Sequence, residues 1–241
     1  MTSYHGGKQR IGKKLAEIIV DYSIDTDFKI KGYCEPFCGM LGVYQHIPFL
    51  FEEEDFNLKY QAGDTNESVI KMWKAAQKGW NPPKTCSEKQ FNRLKKSRTS
   101  SALKGFVGHQ CSFGGQFFMG FAGKYDKTKN PQKAAQRVTD IANELNDVKF
   151  KSGNYKQFSK LKNYVIYCDP PYSQTTCHYK TKSNFDHEEF WKWCIKMSQH
   201  NIVFVSEYKA PKGIKAIFKT KRTARSPTGK KCTGQEKLFM V

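Results

Sequence analysis

Residues 165–172 read VIYCDPPY, a β-branched and aromatic run that ends on an acid, two prolines and a tyrosine. A carboxylate fixed before proline is kept out of the helical region. The carbonyl after it points forward, and an aromatic ring follows. Acceptors and a ring that converge in this way suit a planar group with an exocyclic amine. Asp169 and the Pro170 carbonyl would accept its two N–H bonds, with Pro171 fixing the turn and Tyr172 stacking on its face. Accepting those bonds draws the nitrogen lone pair out of conjugation, so the amine becomes a better nucleophile toward an electrophilic methyl. The plain alternative is an apolar strand stopped by Pro-Pro, because proline lacks an N–H and fixes φ.

Two further stretches carry residues of chemical interest. EPFCGMLG (35–42) places glycines after a short apolar piece, which lets the backbone approach a ligand closely. Its leading Glu35 would repel a pyrophosphate and attract a cation. AGDTN (62–66) ends on Asp64, which is able either to bind ribose hydroxyls as in dinucleotide folds or to start the helix that follows from Asn66. No phosphate-binding G-x-x-x-x-G-K-[ST] occurs.

These motifs need strands and helices to hold them. Ile11, Leu15, Ile18 and Ile19 have helical spacing behind an N-terminal Gly-Gly-Lys loop. KYQAG reads as a strand ending at Asp64. NESVIKMWKAAQKG reads as a helix capped by Asn66 and stopped by Gly79. A short helix is expected over 87–98 and another over about 131–145. The stretch from Ser101 to Asp126, with six glycines between Gly105 and Gly123, reads as loops and short strands. VKFKSG, YVIYC, NIVFVSEY, AIFKTKR and EKLFMV read as strands, and Asp186 with Glu189 marks a capping box before Phe190, Trp193, Cys194 and Met197. The alternation predicts an α/β fold with a mostly parallel sheet, formed by residues 1–80 and 146–241 and interrupted by an insertion over 81–145. In such sheets ligands bind at the carboxyl ends of strands, where all three motifs fall.

The chain has 241 residues, enough for a core without covalent staples. Its eight cysteines form no C-x-x-C pair and follow no signal peptide, which predicts a reducing, intracellular setting and no zinc. No apolar stretch reaches the roughly 18 residues of a membrane span, so a soluble protein is expected. The net charge is +19 and is unevenly placed. Residues 84–162 hold 17 basic against 5 acidic residues and residues 209–241 hold 10 against 1, while 1–83 and 163–208 are close to neutral. One set of segments is expected to build the core and a small-molecule site, the other to face a polyanion. Aromatics among the basic residues, including Phe113, Phe117, Phe118, Phe121 and Tyr125, suit base stacking and point to nucleic acid. Arg93, Lys95, Lys96, Arg98 and Lys124 are candidates for phosphate contacts, or else a solvated basic face.

YHGGK near the N-terminus, EPFCGMLG, AGDTN and DPPY occur in the order found in the Dam-like, D12-class DNA adenine N6-methyltransferases, and the chain resembles that family over nearly its whole length. The resemblance implies a Rossmann-like, S-adenosylmethionine-dependent methyltransferase sheet with a target-recognition insertion. It implies that Tyr4, Lys8, Glu35, Phe37, Gly39, Gly42, Asp64 and Asp169 line the S-adenosylmethionine site, and that Asp169, Pro170, Pro171 and Tyr172 hold an adenine flipped out of duplex DNA. No metal, a duplex DNA partner and a restriction endonuclease counterpart belong to the same expectation. The chain departs from the family pattern at Leu41, which stands where the loop F-x-G-x-G has its second glycine, and at Tyr4-His5, which replaces Trp-Ala. The run CSFGGQFFMGF is similar to phage or large-virus branches. His109 and His178 read as packing or surface residues, and Glu207 as a pocket or structural residue. N4-cytosine or RNA N6-adenine methylation shares the amine chemistry and stays open. A catalytically silent nucleic-acid binder of the same fold stays open too.

Overall fold

The computed structural model describes residue 4 and residues 6–123, 130–145, 147–172, 185–225 and 231–241. Among these described residues seven strands form one sheet in the order β3-β2-β1-β4-β5-β7-β6. They are β1 (Gly32–Glu35), β2 (Lys59–Asp64), β3 (Lys149–Ser152), β4 (Tyr164–Cys168), β5 (Ile202–Glu207), β6 (Ala216–Arg225) and β7 (Lys231–Met240). The first five in that order run parallel; β7 pairs antiparallel with β5, and β6 antiparallel with β7. The expected α/β fold with a mostly parallel sheet is therefore what the chain forms. Every residue of β1, β4 and β5 is buried, as expected for parallel strands covered on both faces.

Side chains alternate across the sheet. Val165 and Tyr167 of β4 join one core cluster, with α1 (Gly12–Ile24), α2 (Ile47–Glu53), α3 (Glu67–Gln77) and α6 (Pro131–Glu144). Ile166 and Cys168 join the other, with Phe190, Trp193, Cys194 and Met197 of α7 (His187–Ser198). Phe91 of α4 (Glu88–Lys96) and Phe106 of α5 (Ala102–Gln110) enter the first cluster, so the core of these inserted helices is continuous with that of the sheet. The predicted caps are present: Asn66 Oδ1 accepts from Ser68 N at 3.1 Å and Asp186 Oδ1 from Glu189 N at 2.9 Å.

The expectation of loops and short strands after Ser101 fails over its first part, where α5 is a nine-residue helix capped by Ser101. Its glycines serve packing. A Cβ on Gly105 would come within 2.2 Å of the Ser68 carbonyl oxygen in α3, and one on Gly108 within 2.3 Å of the Phe117 ring. Glycine there lets two helices approach more closely than any side chain allows. The loop expectation holds further on, where Ser112 and Phe121 form an antiparallel bridge around a turn of glycines.

Candidate active site

The chain reverses direction across the sheet between β1 and β4, and open α/β sheets bind ligands outside the carboxyl ends at such a switch point. Four adjacent strands, β2, β1, β4 and β5, end on acidic side chains or one residue before one: Asp64, Glu35, Asp169 and Glu207. Glu236 of β7 extends the row, because the antiparallel strand enters the sheet from that same edge. Glu35, Asp64, Glu207 and Glu236 are all buried. Carboxylates are seldom buried without partners, so this row is the feature of the fold most in need of explanation.

Lys8, 4% exposed, reaches into it from the N-terminal loop. Its Nζ lies 2.5 and 2.6 Å from the two Asp169 oxygens, 2.5 Å from Tyr172 Oη and 3.1 Å from Glu236 Oε1. Tyr172 Oη lies 2.8 Å from Glu236 Oε1 and 3.0 Å from Asp169 Oδ1, and its ring meets Tyr208 edge to face at 5.0 Å. Burial pushes the Asp169 carboxyl up from its ordinary range, the Lys8 ammonium opposes that, and Glu236 adds to it. Pro170 is buried and Pro171 exposed at the turn.

The glycine loop is tied to the same edge. Asp64 accepts from Gly39 N at 3.0 Å and from Asn66 N at 2.7 Å, so one carboxylate joins the loop to the start of α3. Burial still pushes Asp64 up. Gly39 has φ 45° and its carbonyl accepts from Trp73 Nε1 at 2.9 Å. Leu41, at the position where a glycine was expected from the family pattern, has φ 56°. The left-handed conformation costs a non-glycine residue roughly 1–2 kcal/mol, and the completely buried Leu41 side chain offsets it. Gly42 packs against the first helix, where a Cβ on Gly12 would come within 1.9 Å of the Gly42 carbonyl oxygen. Tyr4 lies over the loop, 2.9 Å from where a Cβ on Gly39 would sit, and its hydroxyl is pushed up first by the charge of Asp64 and then by burial.

Glu35 accepts from Tyr33 Oη at 2.7 Å, and burial pushes its carboxyl well up. Phe37 lies in an aromatic cluster with Tyr155, Phe185 and Phe190 at centroid distances of 5.6, 5.8 and 5.6 Å. Tyr4, Lys8, Glu35, Gly39, Gly42, Asp64 and the Asp169–Tyr172 turn thus meet at one edge of the sheet. Arg93, Lys95, Lys96 and Arg98 do not; they are exposed on and just after α4. Lys124, Tyr125 and His178 lie outside the described residues. His109 packs against the tilted rings of Tyr4 at 4.6 Å and Phe117 at 4.9 Å, and its Nδ1 lies 2.8 Å from the Gly115 carbonyl oxygen, so it joins Tyr4, over the Gly39 loop, to the segment after α5 by packing. The sequence reading missed Glu236. Its signal was there, since Glu236 is the one acidic residue in the basic block 209–241.

The sheet order defines an α/β protein with a mostly parallel sheet, and the carboxylate row marks its switch point as the candidate site. Residues 116–223 match the family model described as D12 class N6 adenine-specific DNA methyltransferase. That segment holds the Asp169–Tyr172 turn, whereas Lys8, the glycine loop and Asp64 precede it. No curated protein matches the chain. Among solved structures it is similar to a protein of Pyrococcus horikoshii described as an RNA methyltransferase (8% identity over 95% of this chain and 79% of that one, TM-score 0.39). It is also similar to yhhF of Escherichia coli, described as a methyltransferase (8% identity, 97% and 87%, TM-score 0.38).

Proposed function

We propose that the chain transfers a methyl group from S-adenosylmethionine to the N6 amine of an adenine flipped out of duplex DNA. The observation that carries this reading is the Asp169-Pro170-Pro171-Tyr172 turn at the carboxyl end of β4, beside a row of buried carboxylates and inside the segment matched by the adenine methyltransferase family.

The residues fit the cofactor. Glu35, Asp64, Asp169 and Glu236 gather at this edge around the ammonium of Lys8, an excess of acidic side chains that favours a cationic ligand. When bound, S-adenosylmethionine supplies an electrophilic methyl on a positively charged sulfur. Tyr4, Lys8, Glu35, Phe37, Gly39, Gly42, Asp64 and Asp169 would hold it. Tyr4 and the Gly39 loop would flank it, and Asp64, at the end of β2, would bind its ribose hydroxyls.

Asp169 and the Pro170 carbonyl accept the two N–H bonds of the target amine and draw its lone pair out of conjugation with the ring. Tyr172 packs at its face. The amine carries positive charge as its bond to the methyl forms and the methyl's bond to sulfur breaks, leaving a neutral thioether; the Asp169 carboxylate stabilises that charge in a poorly solvated site, and one N–H proton then leaves to solvent. Flipping the base costs a few kcal/mol, and phosphate contacts from the basic segments 84–162 and 209–241 offset it.

The test is transfer of labelled methyl from S-adenosylmethionine to mixed-sequence duplex DNA, followed by digestion to nucleosides. N6-methyldeoxyadenosine is the expected product. N4-methylcytosine or methylated RNA would replace the substrate named here, and absence of both transfer and S-adenosylmethionine binding would leave a nucleic-acid binder.

A further inference from the structure

Lys8 Nζ lies on both oxygens of Asp169, at 2.5 and 2.6 Å. The target amine needs one of those oxygens beside the Pro170 carbonyl, so Lys8 and Tyr172 compete with it for the same carboxylate. Drawing Lys8 toward another partner opens room for the amine, and a buried ammonium left without any partner would carry a desolvation penalty of several kcal/mol. A second carboxylate is already within reach. Glu236, 3% exposed, lies 3.1 Å from Lys8 Nζ and accepts from Tyr172 Oη at 2.8 Å. A phenol has one proton to give, and the shorter of its two carboxylate distances is to Glu236 rather than to Asp169 at 3.0 Å. Glu236 thus draws on both groups that compete with substrate for Asp169.

We infer that Glu236 is a positioning residue of the proposed transfer reaction: it holds Lys8 and Tyr172 so that Asp169 becomes available to the amine. The inference rests on the methyltransferase reading of the site. It also gives β7 a role, because an antiparallel strand delivers a carboxylate to the carboxyl edge of the parallel strands from 67 positions beyond Asp169 in the chain.

The groups that face Asp169 are Lys8, Glu236, Tyr172, Glu35, Tyr167 and Tyr4. Lys8, Tyr172, Asp169 and Tyr167 face Glu236. Of the two nearest charges acting on Asp169, Lys8 favours its ionised form and Glu236 disfavours it. Neutralising Glu236 therefore moves the ionisation of Asp169 to lower pH.

The experiment compares the full chain with Glu236→Gln and Glu236→Asp. Titration of the ¹³C carboxyl resonance of Asp169 without cofactor, assigned with Asp169→Asn, is expected to move to lower pH in E236Q and to stay in place in E236D. With cofactor and duplex DNA, kcat of E236Q is expected to fall about tenfold to a hundredfold, the scale of a misplaced reacting group. E236D should recover part of that loss. An unmoved Asp169 titration in E236Q, or wild-type kcat in it, overturns the inference. Should E236Q fail to fold, Glu236→Ala takes its place, and the same shift of the Asp169 titration to lower pH is expected, its absence overturning the inference. Failure of the wild-type chain to methylate any nucleic acid overturns the reading of the site instead, and the titration still reports whether Glu236 acts on Asp169.

Discussion

At the scale of residues, the site is a problem of charge burial whose solution differs from one carboxylate to the next. Asp64 is satisfied by two backbone N–H groups, Asp169 by an ammonium on both of its oxygens, and Glu35 by a single tyrosine hydroxyl. Glu35 is therefore the one whose ionised form has the fewest compensations among these three. Burial raises its folded pKa above the ordinary value, so the folded chain holds a proton that the unfolded chain has already lost. Stability is then lost as pH rises from the unfolded value of about 4.3 toward the folded one. Glu35→Gln keeps the acceptor for Tyr33 and removes that loss. Thermal melts of the cofactor-free chain should show E35Q above wild type at pH 8 and equal to it near pH 4. A variant less stable at both would mean that the carboxylate is compensated by contacts other than those named. Asp169→Ala makes the complementary prediction. Methyl transfer should be abolished with most DNA affinity kept, measured by anisotropy beside the activity assay, and joint loss of both would make Asp169 a structural residue.

At the scale of elements, what the sequence revealed depended on whether a signal was local. Hydrophobic spacing and caps are local, and α1, α3, α6 and α7 lie where Ile19, Val69, Val138 and Phe190 required. The three site motifs were legible for the same reason, since each is a strand end followed by its own turn. Helix α5 was not legible, because Gly105 and Gly108 look like loop residues until α3 and Phe117 are packed against them. Glu236 stood out as the one acid in a basic block, but its place in the site was hidden, because only the pairing of β7 with β5 brings it to Tyr172 and Lys8. The glycine argument can be tested. In an isolated helix Gly105→Ala would gain about 1 kcal/mol of propensity, but here its Cβ meets backbone of α3 at 2.2 Å. Overpacking of this kind costs about 1–3 kcal/mol. Urea unfolding should find G105A less stable than wild type, and a more stable variant would show that α5 and α3 separate at little cost.

At the scale of the whole molecule, the net charge of +19 sets how the protein meets a polyanion. The exposed Arg93, Lys95, Lys96 and Arg98 lie on and just after α4, whose core joins that of the sheet through Phe91, as that of α5 does through Phe106, so a phosphate held on α4 would be fixed relative to the sheet. From that side, Phe91 contacts Phe118, Phe118 contacts Phe117, Phe117 packs against His109 and His109 against Tyr4. Aromatic packing therefore runs without a gap from the basic helix to the loop at Gly39. If these four side chains contact phosphates, each neutralised phosphate contributes about 0.9 to the slope of log K against log salt. Replacing all four by alanine should lower that slope by about 3 to 4. Binding should weaken by a similar factor for every duplex sequence, because phosphate contacts carry no base information. The rate at saturating DNA should stay close to wild type, since none of the four reaches Asp169. A slope unchanged in the quadruple variant would assign these residues to a solvated face and move the DNA contact to the other basic block, 209–241.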